Sequence, residues 1–362
     1  MKRIVCFIES LSGGGAEHQM QILCECLCNK GYDLTLVTYA DLPDHYTCSP
    51  RVRRIVLGKG KGIFGKFFSI CHFFLTVKTD CVISYRVACN ARVLFPLLLR
   101  PKVNVIVGER NFTINKRSFL GKLCSNILYY RADHIVPNSF SQEKYLRSLG
   151  RRWADRVCTI INYTDINQFH KSDIPVSGDI VKIAIFARFS VQKNAPRFIK
   201  MLFELKTVSK VPFHVDWYGN RGVGDCSPEY VRSCRLIDEL SLSDVITLKE
   251  PVRNPASLMS NYHAVCLPSL YEGFSNSIAE GICSGKPMLV SDVSDNSVMV
   301  KENVNGYLFD PTSINSMKEA FVKFFKTSPE QKVLMGENSR KIAETLFDAD
   351  LFFKKHKQLI ES

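Results

Sequence analysis

One stretch decides the predicted fold: Cys266-Leu-Pro-Ser-Leu-Tyr-Glu272-Gly-Phe-Ser-Asn-Ser-Ile-Ala-Glu280-Gly-Ile-Cys-Ser-Gly-Lys-Pro287. It overlaps the short apolar run Ala264–Leu267, which predicts a strand that Pro268 ends. Polar residues at 275–277 can cap a helix that runs to about Ser284, and the glycine and proline that close the stretch stop it. A strand, a loop and a helix in direct succession are typical of an α/β domain.

Two glutamates in this stretch flank a candidate anion site. Glu272 falls in the loop at the mouth of the predicted helix, and Glu280 falls inside the helix. The backbone N–H groups between them belong to Gly273, Phe274, Ser275 and Asn276. Free N–H groups and the dipole at a helix N-terminus favour an anion, so the arrangement fits a nucleotide sugar, with its phosphates between two hydroxyl-bearing rings. Taken alone, two glutamates eight residues apart are more often solvated helix surface.

Basic residues are concentrated in the first half of the chain. The formal net charge is +13; residues 1–180 hold 25 lysines and arginines against 14 acidic residues, and the remainder holds 23 against 21. This excess indicates an anionic partner: nucleic acid, a phospholipid surface or a phosphate-bearing acceptor. Basic residues stand among aromatic and aliphatic ones at 58–78 and at 110–131, as in segments that lie on an anionic membrane. Helices packed on a sheet with a basic rim would give the same pattern.

The composition favours a protein of a reducing compartment. A chain of 362 residues, 46% of them hydrophobic, can form two domains with their own cores. The apolar runs are too short to span a bilayer, and Glu9 interrupts the apolar start too soon for a signal peptide. The 14 cysteines, including the cluster Cys24, Cys26 and Cys28, are therefore expected to be free thiols in the cytoplasm.

The first half opens with a strand and a glycine loop. Residues 3–9 predict a buried parallel strand, and the loop that follows contains Gly14 and Gly15, where the backbone can approach a ligand closely. The loop lacks the third glycine of a dinucleotide fingerprint. A later strand at 103–108 leads into a second candidate loop, at the carboxyl edge where a parallel sheet places functional residues. Its polar residues are Glu109, Arg110 and Asn111.

The second half begins a new α/β unit after a polar segment at 170–180, which predicts a linker. Val181–Phe186 predicts the first strand, and the loop after it carries Arg188 and Lys193. Two cations in a strand-to-helix loop could clasp a diphosphate and neutralise charge on a leaving group, although isolated cations are usually solvated. A later strand ends at Leu248, and the loop beyond it would meet the base of a nucleotide largely through its backbone.

Taken in order, these motifs resemble the family-4 retaining glycosyltransferases. That family has a Glu-x7-Glu element in the setting of Glu272 and Glu280, a Gly-Gly-Ala-Glu loop near the start, and a loop of the form Gly-Arg-Leu-x-x-x-Lys-Gly. The chain departs from the family in places. Ala187 and Asn194 stand where the last loop has glycine, and Tyr163-Thr164 replaces Gly-Val in the motif that closes the first half.

The resemblance implies the GT-B arrangement: α/β, with two doubly wound Rossmann-like domains facing across a cleft. Residues 1–169 would form the N-terminal, acceptor-side domain, and residues 170–180 the linker. Residues 181–344 would form the nucleotide-sugar-binding domain. Residues 345–362 would form a helix that packs back on the N-terminal domain.

The resemblance also implies residue roles. Arg188 and Lys193 would bind the diphosphate and stabilise the leaving group, and Glu272 would hold donor-sugar hydroxyls near the reacting carbon; these three are the predicted catalytic residues. Glu280 would accept the ribose hydroxyls. The predicted donor site is completed by Gly14, Gly15, Leu248, Gly273, Phe274, Ser275 and Asn276. The predicted acceptor side consists of Glu109, Arg110 and Asn111, with Arg110 at a place where many relatives carry a histidine.

The implied function is transfer of a hexose or N-acetylhexosamine, with retention of configuration, from a nucleotide diphosphate sugar, a UDP-sugar being the expected donor. The expected acceptor is a growing, polyprenyl-diphosphate-linked oligosaccharide in surface polysaccharide biosynthesis, of the capsule or O-antigen kind. The protein is expected to be cytoplasmic and peripheral on the inner face of the plasma membrane, touching the anionic surface through its basic N-terminal domain. No cofactor, no metal and no nucleic-acid partner is expected, since the protein's own cations would replace a divalent ion.

Three other functions fit parts of the sequence. A sugar-nucleotide epimerase could share the architecture, but it would release an altered nucleotide sugar without an acceptor. A nicotinamide oxidoreductase would explain the first glycine loop and not the motifs of the second half. A nucleic-acid-binding protein without catalytic activity would explain the charge, although no RNA- or DNA-binding module is recognisable.

Overall fold

The computed structural model describes residues 2–110, 122–123, 126–169, 180–221, 227–252 and 254–362. The chain divides into two compact units: the first comprises Met1–Tyr163 and Ala349–Ser362, and the second comprises Thr164–Asp348. These divisions fall a few residues from the boundaries predicted at 169 and 345. The predicted linker lies outside the described residues except for Ile180.

The first unit contains a sheet of six parallel strands. They are β1 (Arg3–Ile8), β2 (Asp33–Thr38), β3 (Arg53–Val56), β4 (Cys81–Tyr85), β5 (Asn104–Glu109) and β6 (His134–Pro137). Their order across the sheet is β3-β2-β1-β4-β5-β6, so the order of the strands reverses between β1 and β4. The central strands are almost wholly apolar and buried, as expected where helices cover both faces of a parallel sheet.

Helices on the two faces of this sheet enclose two apolar cores. The described helices of residues 2–163 are α1 (Gly15–Asn29), α2 (Ile63–Thr76), α3 (Val87–Leu97) and α4 (Phe140–Ser148), with short 3-10 helices at Leu128–Arg131 and Ala154–Arg156. One core holds Phe7 with Phe74 of α2. The other holds Ile8 with Met20 and Leu23 of α1, which recur at helical spacing.

The second unit repeats this plan. Its strands are β7 (Val181–Phe186), β8 (Phe213–Tyr218), β9 (Ile246–Lys249), β10 (Ala264–Leu267), β11 (Met288–Ser291) and β12 (Gly306–Phe309), in the order β12-β11-β10-β7-β8-β9. Its described helices are α5 (Ala195–Val208), α6 (Pro228–Glu239), α7 (Ala256–Met259), α8 (Asn276–Cys283), α9 (Asn296–Met299), α10 (Ile314–Lys326) and α11 (Pro329–Leu346), with 3-10 helices at Ile166–Gln168 and Val191–Lys193. Here the strand order reverses between β7 and β10.

The last helix, α12 (Ala349–Glu361), belongs to the first unit. Its buried residues include Phe352, His356 and Ile360. Asn104, at the start of β5, donates a hydrogen bond to the carbonyl of Leu359 at 2.7 Å, and the His356 ring lies 3.4 Å from the hydroxyl of Tyr85.

Two parallel six-stranded sheets, each with surrounding helices, confirm the predicted fold class of two doubly wound α/β units.

The cysteines that the structure describes are free thiols. Within the described ranges, every helix is too short or too polar to cross a lipid bilayer.

Candidate active site

The loops after β7 and β10 meet where the strand order of the second sheet reverses. β7 and β10 are adjacent parallel strands, so their carboxyl ends lie side by side, and doubly wound sheets bind ligands at such points. The carbonyl of Gln192, in the short helix after β7, accepts a hydrogen bond from the N–H of Leu270 at 2.8 Å. The Gln192 side chain donates to the carbonyl of Tyr271 at 2.8 Å. The two loops that the sequence singles out are therefore joined directly.

Lys193 and Glu272 form an ion pair between these loops. The Lys193 Nζ lies 2.5 Å from Glu272 Oε1, and the two side chains are 12% and 8% exposed. Glu272 is also held at its backbone, where its N–H donates to the hydroxyl of Ser294 at 3.2 Å. A pair so well shielded from water interacts strongly, and removal of either partner leaves an uncompensated charge. Two of the three predicted catalytic residues are therefore in direct contact.

Asn194 fixes the path of the loop after β7. Its φ of 61° is left-handed, a conformation that asparagine tolerates better than most residues with a side chain. Its side-chain amide donates to the carbonyls of Pro268 and Pro311 at 3.2 and 2.9 Å. The residue that departs from the family's glycine therefore keeps the left-handed turn and ties the loop to two other segments.

Arg188, the third predicted catalytic residue, is exposed and makes no hydrogen bond or ion pair with any described residue. The backbone beside it is tightly fixed. Its neighbour Ala187 accepts a hydrogen bond from the Trp217 indole at 2.7 Å, and a Cβ at Gly219 would lie 2.1 Å from the same carbonyl oxygen. The Arg188 guanidinium thus makes no polar contact with the described residues, while the backbone next to it is held in place.

Helix α8 starts beside these loops. In the described structure its N-cap residue, Ser275, makes no side-chain capping bond, so the first-turn amides are not capped by that hydroxyl. Ser277 donates to the carbonyl of Phe186 at 2.6 Å, which fixes the helix to the end of β7. Gly281 allows close packing, since a Cβ there would meet Met288 Sδ at 2.9 Å. The amide-bearing turn from Gly273 to Asn276 is held at the strand reversal.

Glu280 lies inside α8, and no described residue donates a hydrogen bond to its carboxylate or pairs with it. Burial raises the pKa of Glu280 to about 7. A carboxylate that has lost much of its water and has no donor is suited to accept hydrogen bonds from ligand hydroxyls. Leu248, the remaining predicted donor-site residue of this unit, is half-buried near the carboxyl end of the edge strand β9.

Sequence reasoning missed two hydroxyls at the strand reversal. The Ser190 Oγ, in the loop after β7, and the Ser269 Oγ, in the loop after β10, are buried and have no hydrogen-bond partner in the part of the chain that the structure describes. A buried polar group without a partner in the free protein is a candidate ligand contact. Serine in a loop has no distinctive spacing, so the sequence contained no signal for either. Among the described residues, no three histidine, cysteine, aspartate or glutamate side chains are grouped to hold a metal ion.

The predicted residues Gly14 and Gly15 of the first unit open α1. Gly14 has a φ of +139°, and a Cβ there would meet a carboxylate oxygen of Glu17 at 2.5 Å. That carboxylate pairs with Arg86 at 2.8 Å, and Arg86 also pairs with Glu9 at 2.8 Å. This cluster lies at the reversal between β1 and β4. The sequence did not predict it, because Arg86 is 69 residues from Glu17.

The predicted acceptor residues of the first unit are buried. Glu109 accepts hydrogen bonds from the Tyr129 hydroxyl at 2.5 Å and the Gln142 amide at 2.6 Å. The Arg110 guanidinium lies 3.9 Å from the centre of the Tyr85 ring, and among the described residues its Nε and Nη2 atoms have no hydrogen-bond partner. Asn111 lies outside the described residues. Glu109 is thus held by the protein itself, whereas Arg110 keeps two unused donors.

The chain is similar to known proteins in sequence and in fold. Residues 167–342 match the family model described as "Glycosyl transferases group 1". A Campylobacter jejuni protein, N-acetylgalactosamine-N,N'-diacetylbacillosaminyl-diphospho-undecaprenol 4-alpha-N-acetylgalactosaminyltransferase, is 24% identical over 96% of each chain. Among solved structures, sucrose-phosphate synthase of Thermosynechococcus elongatus has a TM-score of 0.85 at 17% identity, over 99% of this chain and 98% of that one. Anabaena Alr3699/HepE, solved with UDP and glucose, has a TM-score of 0.83 at 16% identity over the whole of both chains.

The fold of the two units is the one found in these solved structures, which is the GT-B fold. Residues 167–342 of the second unit match the group 1 glycosyl transferase model, and the Campylobacter relative, which matches nearly the whole chain, is named as a glycosyltransferase, so the predicted class of enzyme, a hexosyltransferase, is confirmed.

Proposed function

We propose that the protein is a retaining glycosyltransferase that moves a hexose or N-acetylhexosamine from a UDP-sugar to a polyprenyl-diphosphate-linked oligosaccharide. The observation that carries the proposal is the arrangement at the reversal of the second sheet. The Lys193–Glu272 pair lies there with the start of α8, whose fifth residue, Glu280, carries a carboxylate that pairs with none of the described residues.

The donor would be held by its charges and its hydroxyls. Arg188 and the amides at the start of α8 would meet the diphosphate, and Lys193 would stabilise the negative charge that grows on it as the sugar leaves. Glu272 would orient the sugar hydroxyls, and Glu280 would accept the ribose hydroxyls. In the free protein Lys193 and Glu272 neutralise each other. A diphosphate would therefore compete with Glu272 for a lysine that already lies close to the proposed diphosphate position.

The acceptor is proposed from the relatives. The Campylobacter protein has an undecaprenol diphosphate in the name of its acceptor, and it matches this chain over 96% of its length. A lipid-linked glycan of this kind would place the enzyme on the inner face of the plasma membrane, in the assembly of a surface polysaccharide. The basic excess of the first half supports an anionic surface as partner.

A thermal-shift experiment tests the donor site. The melting temperature would be measured with UDP, GDP, ADP and NAD, on the wild type, on Arg188→Ala and on Lys200→Ala. Lys200 is the matched control, because it is exposed on α5 and makes no contact with the site. A ligand that binds only the folded protein raises the melting temperature.

We expect stabilisation by UDP that Arg188→Ala reduces and Lys200→Ala leaves unchanged. Stabilisation by NAD alone would contradict the transferase proposal. Retention is tested separately: proton NMR of the first product formed from a UDP-α-sugar should show an α linkage, and a β linkage would contradict it.

A further inference from the structure

Helix α2 has an apolar surface that the fold leaves uncovered. Ile70 and Phe74 are buried on its inner side. By contrast, Ile63 is 86%, Phe64 80% and Phe68 67% exposed. At 100° per residue Phe64 and Phe68 lie about 80–160° around the helix from the buried Ile70 and Phe74, so core packing does not explain these two side chains. Ile63 lies on the buried side, where it is exposed because it is the first residue of the helix.

The exposed residues form one strip. The α2 face comprises Ile63, Phe64, Phe67, Phe68 and Leu75, all of them exposed. At 3.6 residues per turn Phe64, Phe68 and Leu75 fall within about 40° of the helix circumference, on its outer side. Ile63 and Phe67 lie on the side of the buried residues and are exposed near the start of the helix. The strip continues onto α3, where the ring of Phe95 lies 5.9 Å from that of Phe67 and is itself half exposed. An exposed apolar surface of this extent marks an interaction site.

Lysines frame the α2 face at both ends. Lys59, Lys61 and Lys66 lie before the helix or in its first turns, and Lys78 follows it. Residues 58–78 contain no aspartate or glutamate. Phenylalanines beside lysines, without acidic residues, match the interfacial region of a bilayer, where rings enter the acyl boundary and ammonium groups meet phosphates. A second copy of the chain would instead bring these lysines against each other.

The α2 face is held in a fixed position on the first unit. Arg100 donates hydrogen bonds to the carbonyls of Phe74 and Val77 at 2.8 and 2.7 Å, which binds the end of α2 to the segment after α3. The N–H of Leu57 donates to Thr38 at the end of β2, so α2 begins shortly after the chain leaves the carboxyl edge of the sheet. That edge also carries Glu109 and Arg110.

We propose that the α2 face inserts into the headgroup region of an anionic phospholipid bilayer and so brings the carboxyl edge of the first sheet to the membrane. Delivery of a lipid-linked acceptor to that edge rests on the proposed function. Membrane binding itself does not, and it can be measured without donor or acceptor, so failure of one idea is distinguishable from failure of the other.

Vesicle flotation tests the surface. Wild type, Phe64→Ser/Phe68→Ser and the control Phe203→Ser/Val231→Ser are mixed with vesicles of phosphatidylglycerol and phosphatidylcholine, or of phosphatidylcholine alone. The control residues are exposed on α5 and α6 of the second unit. We expect wild type and control to float with the anionic vesicles, and we expect the α2 variant to bind these vesicles at least about tenfold more weakly.

The lysines are tested in the same way. Lys59→Gln/Lys61→Gln should weaken vesicle binding about fivefold for each lysine at low salt, and added salt should weaken vesicle binding by the wild type.

Fluorescence gives a second readout that does not depend on how well a double variant folds. Both native tryptophans, Trp153 and Trp217, are fully buried. Brominated lipid should quench the emission of Phe64→Trp and leave that of the control Phe203→Trp unchanged. Equal flotation of the α2 variant and wild type, or absence of quenching in Phe64→Trp, would overturn the proposal. So would a wild-type dimer that ignores vesicles and that Phe64→Ser/Phe68→Ser converts to a monomer.

Discussion

At the strand reversal of the second sheet, a lysine and a glutamate from two loops meet at 2.5 Å beside the start of α8. At the corresponding reversal of the first sheet, Arg86 bridges Glu9 and Glu17, and of these three residues only Glu17 belongs to a motif seen in the sequence, the Gly-Gly-Ala-Glu loop. The two edges therefore occupy the same place in their respective sheets but carry different charged residues. The second sheet presents cations and amides suited to a diphosphate, the ligand part that all nucleotide diphosphate sugars share. The first sheet has largely self-satisfied charges, as expected for a site whose ligand differs from one enzyme to the next.

The largest effect is expected at the ion pair of the second sheet. Lys193→Ala should lower kcat by about 10²–10³-fold, because it removes the cation that would stabilise the leaving group and leaves Glu272 without a partner. Initial rates of sugar transfer, with Lys200→Ala as the control, measure this effect. An unchanged kcat for Lys193→Ala would remove the proposed difference between the two edges.

A smaller effect, on stability, is expected at Asn194. Asn194→Ala should lower the free energy of unfolding by about 2–4 kcal/mol, since alanine is strained in the left-handed conformation and two carbonyls lose their donor. Asn194→Gly keeps the conformation and loses only the hydrogen bonds, so urea denaturation should place it between wild type and Asn194→Ala. If glycine proved as destabilising as alanine, the conformational part of this account would be wrong.

The pH dependence of Glu280 gives the third comparison. Its pKa is raised from 4.5 to about 7 in the folded protein, so the folded state holds a proton that the unfolded state has lost between those values. The stabilising contribution is full below about pH 4.5 and is lost as pH rises through about 7. The free energy of unfolding of Glu280→Gln should therefore match that of the wild type near pH 4 and exceed it by about 3 kcal/mol near pH 8. Urea denaturation at the two pH values measures the difference, and equal wild-type and variant curves at both would contradict it.

The smallest effect sharpens the assignment of the first sheet. Arg110→Ala should raise the KM for the acceptor about tenfold, because the unused Nε and Nη2 donors are lost, and should leave stabilisation by UDP unchanged. Arg51→Ala, an exposed arginine of the same unit, is the control. Loss of UDP binding in Arg110→Ala would assign this residue to the donor instead.

The sequence predicted what depends on neighbours along the chain. Apolar runs such as Val181–Phe186 became buried strands, and the loops that hold Lys193 and Glu272 lie together because two adjacent strands end there. The contact between those two side chains, 79 residues apart, could not be predicted from spacing. Nor could the bridge made by Arg86, because it depends on how the strands are ordered. The composition of residues 58–78 fits both a packed helix and a membrane-facing one, and the exposed fractions of its side chains are information that the sequence does not contain.

Asn194 has a consequence for the order in which the protein folds. Its two hydrogen bonds reach residues 74 and 117 positions farther along the chain. Contacts of such long range form only after much of the chain has been brought together, so they tend to come late in folding. A nascent chain that has emerged to just beyond β10 would contain Lys193, Asn194 and Pro268 and still lack Pro311. The ability to bind nucleotide should therefore be acquired near the end of the folding of the second unit and should serve as a marker that this unit is complete.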